Sequence, residues 1–207
     1  MRGVAFIGGE APAPELCRSF VKGAALVAAA DSGLITAENA GVFPDWIVGD
    51  MDSLCCEQRL AAYPKERVLR YQRDKDSTDT ELAVELLFKK GCKQVDLIGG
   101  GGGRLAHIAA IFALFDGETP PNRWLTSREE AVLIRFDFSA KLKLGTVVSV
   151  FPAGNGPWQA KSEGLNWSLD NVKWKRGVHG ISNRAVSENV FIQACCGVFL
   201  IIIEQNL

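Results

Sequence analysis

Asp50 and Asp52 stand one residue apart at the end of an apolar run, in the segment DWIVGDMDS (45–53). Further on, RDKDSTD (73–79) places Asp74, Asp76 and Asp79 within six positions. An earlier apolar run, ALVAAAD, ends in Asp31. Carboxylates gathered at one place repel one another unless cations share the space. Hard oxygen ligands suit Mg²⁺, which takes a carboxylate or two together with waters and substrate phosphates. These residue types therefore point to acids that hold a metal, and to a metal that holds phosphates. The run Gly99–Gly103 followed by Arg104 adds flexible backbone N–H groups ahead of a helical stretch. Such a turn can cradle phosphate, with Arg104 as a charge-assisted clamp. It matches neither the P-loop pattern nor a dinucleotide fingerprint, since no acidic residue follows at the next strand end.

The elements that must position these residues alternate in the first part of the chain. GVAFIGG, ALVAAAD, DWIVGD, VLRYQ and QVDLIGG read as strands. PELCRSFVKG, LITAENAG, TDTELAVELLFKKG and LAHIAAIFALF read as helices, several of them stopped by glycine. Such alternation predicts an α/β fold with a mostly parallel sheet flanked by helices. Ligands of such sheets bind beyond the carboxyl ends of the strands, where the acids and the glycine run all fall.

The pattern changes after DGETPPN, where Pro120 and Pro121 punctuate the chain. From there the runs are short and strand-like: AVLIRFDF, AKLKLG, VVSVFPA, VKWKRG, ENVFIQAC and GVFLIIIE. They predict a C-terminal antiparallel β-sandwich. The expected domains are residues 1–120, for nucleotide and metal, and 121–207. The last run, apolar or small from Gly197 to Ile203, reads as a strand buried on both faces.

Composition bounds the function classes. The 207 residues are 47% hydrophobic, and 23 basic against 24 acidic residues give a formal charge of −1. No basic excess points to nucleic acid or to an anionic membrane. No apolar stretch is long enough to span a bilayer, and the N-terminal MRGVAFIGGEAPAPE does not read as a signal peptide. Six cysteines include vicinal pairs but no C-x-x-C, which suggests free thiols in a reducing cytoplasm.

Each motif also has a purely structural reading. Asp52 or Ser53 can cap a helix beginning near Cys55. Thr78 and Glu81 match a capping box, with Asp79 then in the first helical turn. Asp31 in DSG fits ordinary turn chemistry. His107, one helical turn past Arg104, reads as a polar helix residue rather than a nucleophile. It is the joint placement at successive strand ends that favours function.

In order, AADSG, PDWIVGDMDS, DKDSTDTELA, IGGGGGRLAH and GISN resemble the thiamine pyrophosphokinase (thiamine diphosphokinase) family over nearly the whole chain. The resemblance implies an α/β domain followed by a β-sandwich that binds thiamine, and a homodimer with its site at the subunit interface. It implies Mg²⁺-dependent transfer of pyrophosphate from ATP to thiamine, giving thiamine diphosphate and AMP. Asp50 and Asp52 match the metal carboxylates, Asp79 the carboxylate near thiamine, and Arg104 the arginine of the family's GGRxDH. Asp31, Lys75, Asp76, Thr78, Gly102, Gly103 and His107 fall on substrate-binding positions, and Ser182 and Asn183 match the SN of the thiamine pocket. Trp167 and Trp174 are candidates for aromatic surface, with core packing as the alternative.

The chain departs from the family pattern at three places. Ala106 stands where GGRxDH has its aspartate, DSGLI replaces DGGAN, and Arg184 follows SN in place of an acid. The change at Ala106 keeps open a second reading, a diverged protein of the same fold that binds thiamine or a nucleotide without catalysis.

Overall fold

The computed structural model describes residues 1–51, 57–74 and 76–205. It falls into two compact units, one of residues 1–114 with 124–127, the other of 115–123 with 128–207.

The first unit is built on strands β1 (Arg2–Ile7), β2 (Leu26–Ala30), β3 (Trp46–Gly49), β4 (Val68–Arg70), β5 (Gln94–Gly99) and β6 (Arg123–Leu125), in sheet order β6-β5-β1-β2-β3-β4. The pairs β1–β2, β1–β5, β2–β3 and β3–β4 are parallel. Between them run α1 (Pro14–Val21), α2 (Gly33–Asn39), α3 (Glu57–Leu60), α4 (Asp79–Lys89) and α5 (Leu105–Phe115). Parallel strands covered by helices must be apolar throughout, and β1 is buried from Gly3 to Ile7. Phe6, Ala29, Leu34 and Ile47 share one core cluster. Gly33 opens α2 because a Cβ there would sit 2.3 Å from the Phe6 carbonyl oxygen. α4 carries the predicted capping box: Thr78 Oγ1 accepts from the Glu81 N–H at 3.2 Å, and Glu81 Oε2 accepts from the Thr78 N–H at 2.5 Å.

Sequence patterning misses β6. Trp124 fastens this short strand beside β5, its indole N–H donating to the Gly99 carbonyl at 2.7 Å and its ring meeting Phe112 edge-on.

The second unit has two antiparallel sheets. One is ordered β11 (Gly180–Arg184), β9 (Val147–Ala153), β13 (Val198–Glu204), β7 (Glu129–Ile134). The other is ordered β10 (Gln159–Glu163), β12 (Asn189–Cys196), β8 (Asp137–Lys141). Val150, Ile192, Phe199 and Ile201 form its core. β13, expected to be buried on both faces, pairs with β9 on one side and β7 on the other. The single strand expected for AVLIRFDF is two: the chain leaves one sheet after Ile134 and enters the other at Asp137. VKWKRG is not a strand at all. Its alternation arises because Trp174 alone docks, edge-on against Phe199, while Lys173 and Lys175 stay exposed.

No helix among the described residues is long and apolar enough to cross a membrane.

Candidate active site

The parallel sheet sends its chain turns to one rim, and the candidate residues follow. Asp31 comes directly after β2, Asp50 directly after β3, Asp79 begins α4, and the glycine run links β5 to α5. A cleft of about 540 Å³ opens there. Asp31, Asp50, Thr78 and Asp79 line it, as do Gly102, Gly103, Arg104 and His107. Eight of the expected catalytic and substrate-binding residues therefore share one cavity of the first unit.

Within it, the carboxylates of Asp31, Asp50 and Asp79 each bring an oxygen within 4.8 Å of the others. Asp31 is held in the left-handed region at φ 45°, with its N–H donating to the Val48 carbonyl at 2.9 Å. One of its carboxylate oxygens is buried with no hydrogen-bond partner among the described residues. Burying such an acceptor unmatched is unfavourable, so its natural complement is a cation arriving from the cleft. Gly49 makes the approach possible: a Cβ there would lie 3.3 Å from both the Asp31 Cβ and an Asp79 carboxylate oxygen. The residues present thus fit a hard divalent cation held by oxygen ligands. Sequence spacing pairs Asp50 with Asp52, whereas the structure sets Asp50 beside Asp31 and Asp79. Asp52 and Lys75 lie outside the described residues.

The glycine loop also lines the cleft, with Gly102 at φ 60° and Gly103 at φ 84°. Glu10 braces its base. The Glu10 N–H donates to the Gly101 carbonyl at 2.5 Å, and the Ser127 hydroxyl donates to Glu10 Oε1 at 2.6 Å. Arg104 and His107 are in side-chain contact through the guanidinium and Nε2. A guanidinium can only donate, so His107 accepts there, as a polar partner of Arg104 and not as a nucleophile. Ala106 also lines the cleft.

Thr78 reaches the cleft, but its hydroxyl is engaged in capping α4. Asp76 is exposed and outside the cleft lining. Ser182 and Asn183 lie on β11 of the second unit. Ser182 is exposed in the left-handed region at φ 57°. Asn183 is 3% exposed and spends its amide on backbone: Oδ1 accepts from the Trp167 and Arg184 N–H groups at 3.0 and 2.9 Å, and Nδ2 donates to the Trp167 carbonyl at 2.7 Å. It therefore positions Trp167 rather than presenting its own amide. Trp167 is 59% exposed, against the packing alternative, while Trp174 conforms to it.

The sequence reading passed over Gly8, Gly9, Ser32, Arg73, Ser77 and Thr80, all of which line the cleft. The Gly-Gly pair at the end of β1 was the available signal, since it closes a strand on the same rim. Ser77 and Thr80 adjoin residues already chosen. The thiols are peripheral. Cys17 and Cys92 are buried, and burial pushes both above the usual thiol range, while Cys195 and Cys196 are exposed. Cys55 and Cys56 are outside the described residues.

Known proteins resemble this architecture. The family model for the thiamin pyrophosphokinase catalytic domain matches residues 17–118, and that for the thiamin pyrophosphokinase vitamin B1 binding domain matches 133–199. The thiamine pyrophosphokinase of Bacillus subtilis (strain 168) is 33% identical over 89 residues, a stretch that spans 42% of this chain and 42% of that protein. The crystal structure of thiamine pyrophosphokinase from Bacillus subtilis superposes with a TM-score of 0.78 at 21% identity, covering 99% of this chain and 100% of that one. Thiamin pyrophosphokinase from Geobacillus thermodenitrificans gives 0.77 at 21% identity over 100% and 98% of the two chains, and that from Candida albicans 0.72 at 15% over 99% and 89%. At these identities the superpositions speak to the fold.

The carboxylate cluster generates a stability test. Without divalent cations, Asp31→Asn removes one of the mutually repelling charges and should raise unfolding stability in urea by about 1 kcal/mol. Millimolar Mg²⁺ should raise the urea midpoint of the parent protein and leave the variant nearly unmoved. Equal responses to Mg²⁺ would remove Asp31 from any cation site.

Proposed function

The chain belongs to the thiamin pyrophosphokinase family, and from that premise we propose that its cleft transfers the pyrophosphoryl group of ATP to the hydroxyl of thiamine. In this reaction the thiamine oxygen bonds to the β-phosphorus as the bond from that phosphorus to the α,β-bridging oxygen breaks. The hydroxyl proton is lost, and the products are thiamine diphosphate and AMP. The observation that carries the reading is the convergence of Asp31, Asp50 and Asp79 in the same cleft as the glycine loop and Arg104.

Phosphoryl-type transfer asks the protein for positioning and for charge neutralisation more than for covalent chemistry. Asp50 and Asp52 are the proposed Mg²⁺ carboxylates, and the geometry supports Asp31 and Asp79 as neighbours of that ion. Bound there, Mg²⁺ would offset the negative charge of the phosphates. Gly102, Gly103 and Arg104 donate hydrogen bonds to phosphate oxygens, and His107 steadies the Arg104 guanidinium. Asp79 orients the thiamine hydroxyl and is placed to accept its proton. Trp167 and Ser182, both exposed on the second unit, are proposed to meet the thiamine of the partner subunit across the dimer interface, the first with a flat aromatic face and the second with a hydroxyl. Asn183 serves this pocket through the Trp167 backbone. The cytoplasm, where ATP and Mg²⁺ are plentiful, is the proposed location.

A second reading, binding without turnover, is favoured by one observation: a methyl group at Ala106 lines the cleft where the family pattern has a carboxylate. Thiamine-dependent AMP release decides between them. The parent protein should release AMP only when thiamine, ATP and Mg²⁺ are all present. Asp50→Ala should lower that rate roughly a hundredfold, equivalent to about 2.7 kcal/mol of transition-state stabilisation, with an unchanged circular dichroism spectrum. No thiamine-dependent AMP from the parent would leave the binding reading.

Ala106 is the second residue of α5, so a carboxylate there gains from the helix N-terminus and from a cation in the cleft. Ala106→Asp should raise turnover or lower the Mg²⁺ concentration needed for half-maximal rate. Superimposable Mg²⁺ titrations would place position 106 outside the working site.

The protein is also proposed to act as a homodimer. Sedimentation velocity at micromolar concentration should return twice the 22.4 kDa chain mass. A fully active monomer would refute the dimer.

A further inference from the structure

Arg73 lines the cleft, yet it precedes the motif that resembles the family and has no role in the reading above. It stands on the connection from β4 to α4, six residues before Asp79. Along the parallel run β5-β1-β2-β3-β4, Arg104 follows β5 at one end and Arg73 follows β4 at the other. The ends of β2 and β3, with Asp31 and Asp50, lie between them. Four strand spacings, about 19 Å, separate β5 from β4. A single phosphate seated at the glycine loop engages one wall of such a cleft. A chain of phosphates that runs from that loop past the acids brings its far end toward Arg73.

We propose that Arg73 is the second phosphate-binding cation of the cleft and grips the pyrophosphoryl group that is transferred. The inference rests on the reaction proposed above. There, the transferred group must lie against the acceptor, and Asp79, assigned to the acceptor, shares its chain connection with Arg73. The glycine loop and Arg104 are left to hold the phosphate that departs with AMP. The charge balance agrees. Asp31, Asp50 and Asp79 line the same cleft as Arg73 and Arg104, so a polyphosphate entering with a divalent cation meets positive groups as well as the acidic cluster. The planar fork of arginine suits bidentate contact with phosphate oxygens, which the lysine point charge does not reproduce.

The test is a titration of the full chain with inorganic pyrophosphate and, separately, with AMP, both in Mg²⁺, alongside ATP and thiamine kinetics. Arg73→Ala should weaken pyrophosphate binding and raise the KM for ATP about tenfold or more. AMP affinity and the KM for thiamine should stay within twofold, and Arg73→Lys should recover part of the loss. Unchanged pyrophosphate binding in Arg73→Ala, or an equal loss for AMP, would overturn the assignment, as would a parent protein that binds no pyrophosphate. Loss of pyrophosphate binding in Arg73→Ala with a parent that never releases AMP would uphold Arg73 and overturn the transfer reaction instead.

Discussion

Three like charges held within 4.8 Å of one another cannot rest there without help. Much of the first unit is legible as that help. β2 and β3 are adjacent and parallel, so their ends deliver Asp31 and Asp50 side by side. The capping box of α4 fixes Asp79 at the first turn, where the helix dipole favours its charge. Gly49 leaves room for Asp31 and Asp79 to approach, since any side chain there would press on both. Asp31 accepts a left-handed backbone, at a cost of about 1 kcal/mol that an aspartate tolerates better than most residues. Stability is being spent locally to hold three carboxylates together at the rim of the cleft.

The same logic explains why supporting contacts gather behind the site. Arg59 and Tyr63 both bond to Glu38, and the Tyr63 hydroxyl is pushed well above the usual phenol range, first by burial and then by that carboxylate. The proton on Tyr63 is therefore retained at any physiological pH, which keeps it a donor to Glu38. Glu38 on α2 thus ties Arg59 of α3 and Tyr63 just beyond it to one carboxylate. Glu10 plays a comparable part at the glycine loop. Glu38 and Glu10 each hold two partners without joining the carboxylate cluster.

Sequence patterning reached the strand ends because a parallel sheet converts order along the chain into position on one rim. Thr78 and Glu81 were readable as a cap since capping is local, and Gly197–Ile203 was readable as a strand buried on both faces because continuous apolarity leaves no solvent face. Patterning failed where tertiary contacts decide. VKWKRG alternates, yet one docked tryptophan produces the alternation. AVLIRFDF is apolar without a break, so nothing in it marks the passage between sheets near Arg135 and Phe136. Arg73 escaped notice because a single arginine in a charged segment looks like solvated surface, and only the fold turns it toward the cleft.

Asn183 and Trp167 show how a motif residue and its role can part company. The amide of Asn183 makes three bonds to the backbone of Trp167 and Arg184, and removing it would leave N–H and C=O groups there unmatched. Such a residue is demanded by the loop it holds. What the loop holds out is an exposed indole, a large apolar surface that is unfavourable in water unless something covers it. Trp174, a few residues on, is the opposite case, its ring packed on Phe199 in the core. Two tryptophans of one connection thus take different parts because the backbone of the first is clamped at the surface while the second closes the sandwich. Asn183 is what keeps the first ring at the surface, since its amide holds both the N–H and the C=O of Trp167.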